Sequence, residues 1–124
     1  MQAFAMFEAG FAAKYRNTVV AMSDAQKKRN LEGMESLITV AAHRGGSQPV
    51  TETFELARLN PISGEWYLAV ECPKCKHTNP VVHDSSDGKL RTPFSGDGGI
   101  LVECHFCPDL IHVPALALHP VLWQ

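Results

Sequence analysis

The chain has 124 residues, a size that favours one domain, or one small domain with an appendage. Its hydrophobic content of 45% and charged content of 19% lie in the globular range and argue against wholesale disorder. The formal net charge of −2 argues against a ribosomal or histone-like protein, because phosphate-driven affinity requires concentrated positive charge.

The first 46 residues have the periodicity of helices. One apolar stripe, at spacings of three and four, consists of Ala3, Phe4, Phe7, Phe11 and Tyr15. A second helix is predicted to begin at Ser23, an N-cap residue with Gln26 placed for a capping box, and to end at Gly45. Its apolar stripe consists of Leu31, Met34, Ile38 and Ala41. We therefore expect a helical hairpin over residues 1–46.

After residue 46 the periodicity changes to that of strands. At a period of two, Phe54, Leu56 and Arg58 alternate with Glu55, Ala57 and Leu59, and Trp66, Leu68 and Val70 alternate with Tyr67, Ala69 and Glu71. The segment Asn60–Gly64 between them is a strong turn signal. This pattern predicts a β-hairpin. Further strands are predicted over 100–103 and 110–113, so residues 47–124 form the second predicted unit, a β domain with an apolar tail.

Two further segments of the β domain, residues 84–99 and 113–123, are not predicted to form regular strands or helices. The segment 84–99 holds four glycines, three serines and three aspartates, which predicts a mobile polar loop; the alternative is a partner-binding loop anchored by Arg91 and Phe94. The tail over 113–123 is apolar and contains two prolines, so a long helix is not expected there. We expect it to fold back onto the helical hairpin and bury Trp123; docking into a partner is the alternative.

An internal repeat precedes each pair of cysteines. The run LAVEC at 68–72 is echoed by ILVEC at 100–104, and each is followed by a second cysteine three residues later. The pattern C-x2-C-x28-C-x2-C is formed by Cys72, Cys75, Cys104 and Cys107. Two residues between cysteines allow a tight turn to direct both sulfurs at one ion, and two such turns complete a tetrahedron. The sequence therefore predicts a four-cysteine metal site.

These motifs, CPKC and CHFC after strand-like runs, resemble those of the zinc-ribbon superfamily over Trp66–Pro114. The resemblance implies two knuckles at the tips of β-hairpins, joined into a small antiparallel sheet. The residue after the second cysteine of a knuckle is often glycine with a positive φ; here it is Lys76 in one knuckle and Pro108 in the other. Proline cannot adopt a positive φ, so the second knuckle should depart from the usual geometry. The fold class expected is α+β, an N-terminal helical hairpin followed by a small antiparallel β zinc ribbon.

Zinc is the expected metal. The spacing is also close to that of rubredoxin-like iron sites, but Lys76 and Pro108 stand where rubredoxins carry glycines. Four thiolates would close the site and make the ion structural. Two alternatives remain open: a redox role for Cys72-Pro73-Lys74-Cys75, which the second cysteine pair disfavours, and replacement of one ligand by a histidine, of which His77 is the best placed.

No catalytic constellation and no phosphate-binding loop is visible, so the protein is expected not to be an enzyme. Residues 66–124 carry four basic and six acidic residues, and a tetrathiolate zinc ion adds further negative charge. This favours an interaction protein that binds another protein or itself within a larger assembly. No segment reaches the roughly 18 to 20 apolar residues needed to cross a bilayer, so no role at a membrane is expected. The alternative is a nucleic-acid-binding accessory factor that uses Lys27, Lys28, Arg29, Lys74 and Lys76. With no export signal visible and four cysteines read as ligands, the expected location is the cytoplasm.

Overall fold

The structure, a computed structural model, describes residues 23–124. Over this range the chain forms one α-helix and eight short strands. In chain order they are α1 (Asp24–Arg44), β1 (Gln48–Pro49), β2 (Thr53–Glu55), β3 (Trp66–Glu71), β4 (Thr78–His83), β5 (Phe94–Ser95), β6 (Gly99–Glu103), β7 (Leu110–Pro114) and β8 (His119–Leu122), with a 3₁₀ turn at Ala115–Ala117. No helix in this part of the chain is long and apolar enough to cross a bilayer.

Helix α1 begins and ends where its sequence predicts. The Ser23 hydroxyl accepts a hydrogen bond from the Gln26 N–H at 3.2 Å, which satisfies one of the free donors of the first turn. At the other end Gly45 has a φ of 70° and donates its N–H to the Ala41 carbonyl. This left-handed cap is easy for glycine, so the helix stops there. The predicted stripe is confirmed: Met34, Ile38 and Ala41 are buried.

The strands form three separate sheets. In the first, of order β4-β3-β8, both pairs are antiparallel. In the second, of order β2-β6-β7, β6 pairs antiparallel with β7 but parallel with β2. The third is a short parallel pair of β1 and β5. The two three-stranded sheets each contain one of the hairpins that lead to the cysteines.

One hydrophobic core joins the helix and the two larger sheets. Alternate residues of β3 and β6 point into it, as the period of two requires: Leu68 and Val70 from one strand, Ile100 and Val102 from the other. The helix adds Met34 and Ile38 to the same cluster, so its apolar face packs on strands. The predicted division of the chain at residue 46 stays a prediction, although α1 and the strands share this core.

The internal repeat is present in the strand pairing as well as in the sequence. In the first hairpin Glu71 is paired with Thr78, and in the second Glu103 is paired with Leu110. Each residue of the second pair lies 32 positions after its counterpart in the first, which is also the distance from Cys72 to Cys104. The two hairpins therefore have the same register at their cysteine-bearing ends.

The predicted fold class is wrong in two respects. The one described helix packs on strands, whereas the expected architecture was a helical hairpin; the first helix of that hairpin lies outside the described residues. The β region is three sheets with two parallel pairings, whereas the expectation was one small antiparallel ribbon. An apolar stripe indicates that a helix face is buried but does not specify what covers it, which is why the pattern could not identify the partner.

The predicted hairpin across the turn at residues 60–64 is also wrong. β2 pairs with β6 and β3 pairs with β4 and β8, so the two predicted arms belong to different sheets. The turn crosses from one sheet to the other and is bonded to the end of the chain: the Gly64 N–H donates to the Trp123 carbonyl at 2.8 Å. Alternation predicts a strand, but strands far apart in sequence compete for its free hydrogen-bonding groups.

The segment 84–99 is anchored at both ends. Asp84 is buried and accepts hydrogen bonds from the Ser86 N–H, the Ser86 hydroxyl and the Gly88 N–H. Phe94 is 2% exposed and belongs to the core, so the alternative in which it anchors a partner is wrong. The mobility of the residues between these anchors stays a prediction.

The tail folds back on its own chain, but onto a strand. β8 pairs with β3 in the register Tyr67↔Val121, and Leu118 just before it is buried. Trp123 is half-buried against the Tyr67 ring, less covered than expected. Pro120 lies in an edge strand, where the absence of an N–H costs no ladder bond, so the prolines that disfavour a helix are compatible with this strand.

Candidate metal centre

The period of two in strands β3 and β6 places two of the four thiols, those of Cys72 and Cys104, on the core side of their strands. Cys72 follows β3 directly and Cys104 follows β6, each two residues beyond an inward-facing valine, so both side chains stay on the core face. They are 0% and 1% exposed. Cys75 and Cys107, at the far side of their turns, are half-buried. Each hairpin therefore supplies one deep and one shallow sulfur.

The four predicted residues come together in space. Their sulfur atoms all lie within 4.8 Å of one another. The shortest contacts run between hairpins, 3.6 Å from Cys75 Sγ to Cys104 Sγ and 3.8 Å from Cys72 Sγ to Cys107 Sγ. Four sulfurs at about 2.3 Å from a tetrahedral zinc are separated by about 3.8 Å. The donor set and its dimensions thus fit one tetrahedral metal ion.

The first knuckle has the local geometry that two-cysteine turns use. The Cys72 N–H donates to the His77 carbonyl, and the Lys76 N–H donates back to the Cys72 carbonyl, both at 2.9 Å. Lys76 has a φ of 67°, the left-handed conformation for which glycine is the usual residue. A non-glycine residue is strained there, and the closed turn holds it in place.

The second knuckle differs at the position that the sequence indicates. The Cys104 N–H donates to the Asp109 carbonyl at 3.1 Å, which matches the bond between Cys72 and His77 in the first knuckle. Pro108 has no N–H, so the bond that Lys76 makes has no counterpart here. The Phe106 N–H instead donates to the Cys104 sulfur at 3.3 Å.

Two residues at the centre escaped the sequence analysis. Asn79, 1% exposed, donates to the Cys104 sulfur at 3.5 Å and accepts from the His105 N–H at 2.8 Å. Arg58 donates to the Cys104 carbonyl at 2.9 Å. The repeat offered a signal for the first: position 79 corresponds to Ile111, so a polar residue stands where the second hairpin has an apolar one. Nothing in the sequence indicates the contact of Arg58.

The pKa values of Cys104 and Cys107 are shifted in opposite directions, in part because the thiols lie close together. Burial disfavours the Cys104 thiolate, but hydrogen bonds from the Phe106 and Cys107 N–H groups and from neighbouring thiols outweigh it and lower its pKa to about 6. For Cys107 a backbone hydrogen bond at Asp109 favours the thiolate, yet burial and the three other sulfurs raise its pKa to about 12. The Cys104 thiolate forms readily, and a cation among the sulfurs would also favour loss of the Cys107 proton.

The histidines do not join the four sulfurs. Among the described residues the cluster of ligand-type side chains contains the cysteines alone. His77, the suggested substitute ligand, lies with its ring stacked on Phe106 at a centroid distance of 4.3 Å. Burial lowers the pKa of His105, with a further contribution from Arg58, and burial alone lowers that of His112.

Comparisons with known proteins found nothing similar. No protein-family model matches the chain, and no match was found among curated proteins or solved structures. The arguments that follow therefore rest on the residues and their geometry.

Proposed function

We propose that Cys72, Cys75, Cys104 and Cys107 bind one structural zinc ion, and that the protein is a non-enzymatic interaction module organised around it. The observation that carries the proposal is the cluster of four sulfurs within 4.8 Å, contributed by the ends of two hairpins from different sheets. Four thiolates fill a tetrahedral coordination sphere and leave no position for water or substrate, which supports a structural role. Such thiols remain reduced in a compartment such as the cytoplasm.

Zinc is favoured over iron by the surroundings of the sulfurs. The N–H donors to sulfur are unevenly distributed: Asn79, Phe106 and Cys107 donate to Cys104, and one backbone N–H each goes to Cys75 and to Cys107. Pro108 removes a further N–H from the second turn. Iron–sulfur potentials depend on such hydrogen bonds, whereas zinc has no redox chemistry to tune.

Elemental analysis of the purified protein tests the metal assignment. We expect one zinc per chain, a colourless preparation, and loss of the ion in a variant with all four cysteines changed to serine. Iron with a visible absorption spectrum would replace the zinc assignment, and a wild-type protein that retains no metal under reducing conditions would overturn it.

An exposed aromatic residue beside the centre supports the interaction role. Phe106 is 52% exposed in the second knuckle and is stacked on His77 of the first, so the two rings form one surface across the two knuckles. Lys74 and Lys76 are exposed on the adjacent turn. Aromatic side chains, phenylalanine included, are enriched at protein–protein interfaces relative to the rest of the surface.

Crosslinking and sedimentation test this role with a matched pair of variants. Leu116, at the other end of β7, is 53% exposed and serves as the control for Phe106. We expect Phe106→Ala to abolish complex formation with a partner or a second copy, and Leu116→Ala to leave it intact. Monomer alone in every assay, or equal effects of both variants, would contradict the proposal.

The nucleic-acid alternative is less well supported by charge. Lys27, one of its five proposed basic residues, is paired with Glu55 at 2.9 Å. Lys28 lines a cavity of about 450 Å³ together with acidic residues, including Asp24 and Glu103. Positive charge is therefore interleaved with negative charge. A salt-sensitive mobility shift on DNA or RNA, lost when Lys74 and Lys76 are changed to glutamate, would favour this alternative.

A further inference from the structure

A polar side chain is buried beside the four sulfurs at a position where the repeat predicts an apolar one. Asn79 is 1% exposed and corresponds, 32 residues earlier, to Ile111, which is 0% exposed in the core. Burying an amide costs free energy unless its hydrogen-bonding groups are satisfied. The buried amide of Asn79, in a strand whose next three residues are buried and apolar, therefore requires specific hydrogen-bond partners.

The partners of Asn79 lie on both hairpins. Its amide nitrogen donates to the His77 carbonyl at 3.1 Å, within its own knuckle, and to the Cys104 sulfur at 3.5 Å. Its carbonyl oxygen accepts from the His105 N–H at 2.8 Å. The Asn79 side chain, on the first hairpin, is thus hydrogen-bonded to the backbone and to one sulfur of the second hairpin.

This contact breaks the symmetry between the two halves of the centre. Ile111, the equivalent residue of the second hairpin, has no side-chain polar atom and cannot bond the first knuckle. Cys104 therefore receives a side-chain donor, the Asn79 amide, in addition to the backbone N–H groups of Phe106 and Cys107. Pro108 leaves the second knuckle without the turn bond that Lys76 supplies in the first, so the second half-site is the one that needs support.

We propose that Asn79 is a positioning residue of the metal centre: it holds the second knuckle in register with the first and donates to the Cys104 thiolate, so that the two half-sites are aligned before the ion binds. This inference rests on the proposed zinc site and names the residue outside the four ligands on which that site depends. Residues that orient metal ligands by hydrogen bonds typically contribute about 10- to 100-fold to metal affinity.

Two substitutions divide the three bonds of Asn79. Asn79→Asp keeps the oxygen that accepts from the His105 N–H but removes the amide that donates to the Cys104 sulfur and the His77 carbonyl, and Asn79→Leu removes all three while keeping an apolar side chain of similar size. Ile111→Val is the matched control at the equivalent buried position of the other hairpin. Zinc affinity is measured by competition with a chromophoric chelator, and the Co²⁺-loaded forms are compared by their visible spectra.

We expect each Asn79 variant to bind zinc about 10- to 100-fold more weakly than the wild type, with an altered Co²⁺ spectrum. Ile111→Val should lower the melting temperature but leave affinity and spectrum unchanged. Wild-type affinity in both Asn79 variants, or an equal loss in Ile111→Val, would overturn the inference. A wild-type chain that binds no metal would instead overturn the proposed function, so the two failures are distinguishable.

A measurement on the wild-type chain covers the case in which the Asn79 variants do not fold. In protein loaded with ¹¹³Cd, a nitrogen-bound proton that is hydrogen-bonded to a ligating sulfur shows scalar coupling to the metal. We expect this coupling at the Asn79 side-chain amide and at the Phe106 N–H, which bonds the same sulfur. Coupling at Phe106 with none at Asn79, and rapid exchange of the Asn79 amide protons, would overturn the inference.

Discussion

Gly88 lies against the indole ring of Trp66, closer than any other residue type could. A Cβ built at Gly88 would come within 2.7 Å of the ring, and its φ of 77° is in the left-handed region. Gly33, in the exposed middle of α1, has no neighbour within 4 Å of such a Cβ. A side chain at position 88 would therefore clash with its neighbours, whereas one at position 33 would not.

Alanine substitutions at these two positions should have effects of opposite sign. We expect Gly88→Ala to lower the free energy of unfolding by about 1–3 kcal/mol, from overpacking and backbone strain. Gly33→Ala should raise it by about 0.5–1 kcal/mol, because alanine restricts the unfolded chain and favours the helix. Urea unfolding measures both values. A Gly88→Ala protein as stable as the wild type would contradict the packing at Gly88, and destabilisation by Gly33→Ala would contradict the open position in α1.

The pKa values at the centre predict how the stability of the metal-free protein depends on pH. The pKa of Cys104 is lowered from 9.0 to about 6 by the hydrogen bonds that outweigh its burial, so between these values the unfolded chain binds more protons than the folded one. Stability should therefore rise with pH from about 6 to 9. Above pH 9 the sign reverses, because the pKa of Cys107 is raised to about 12 and the folded state keeps that proton longer.

Urea unfolding of chelated, reduced protein at pH 6, 7.5, 9 and 10.5 measures this profile. The lowered pKa values of His105 and His112 act in the same direction as that of Cys104, since below pH 6.5 the unfolded chain binds the additional protons. Cys104→Ser should abolish the rise between pH 6 and 9. A profile that falls over this interval would show that Cys104 is not the first thiolate.

At the scale of elements, β8 turns an apolar tail into the third strand of a sheet. Its pairing covers one edge of β3, and the Trp123 N–H donates to the Glu65 carbonyl at 2.9 Å beyond the strand. Ala115 and Leu118, just before it, are 1% exposed. The last ten residues therefore contribute both backbone hydrogen bonds and core contacts to the fold.

Truncation after Pro114 should accordingly lower the free energy of unfolding by about 3–5 kcal/mol, since it removes buried side chains and exposes a central strand. A paired comparison isolates the side-chain part. Leu118→Ala should cost about 2–5 kcal/mol and Leu116→Ala less than about 0.5 kcal/mol. Thermal melts follow all three variants. A truncated protein with an unchanged melting temperature would indicate that the tail is not part of the core.

At the scale of the whole molecule, the sulfur cluster lies where two sheets meet. Cys72 and Cys75 follow and precede strands of one sheet, and Cys104 and Cys107 do the same for the other. An ion held by all four links these sheets at the ends of their hairpins. Without the ion, partly protonated thiols lie within 4.8 Å of one another and supply no comparable link.

Removal of the ion should therefore affect both sheets together. We expect chelation, or Cys72→Ser, to lower the melting temperature by more than about 10 °C, because metal binding contributes directly to the folding free energy of small domains. Circular dichroism should report a loss of β structure, and re-addition of zinc should restore it only in the wild type. An unchanged spectrum and melting curve after verified removal of the metal would refute the structural assignment.

Local chemistry determined the features that the sequence could predict. Ser23 and Gly45 bound helix α1 because caps depend on the residue's own hydrogen-bonding and φ preferences. The cysteine cluster and the departure at Pro108 follow from short spacings and from a missing N–H. Strand β3 follows from a period of two, and strands β6 and β7 follow from short apolar runs. These inferences require only residues that are close in sequence, except that the four-cysteine cluster also uses the repeat of one short motif 32 residues later.

The tertiary structure decided which of these elements meet. Periodicity shows that a face is buried but not what covers it, so the packing of α1 on strands, the parallel pairing of β2 with β6 and the pairing of β8 with β3 could not be predicted. The role of Asn79 depends on a contact across two hairpins, which no local pattern encodes. Segments far apart in sequence compete to pair with the same strand and to cover the same apolar face. Which of them succeeds is decided only when the whole chain folds.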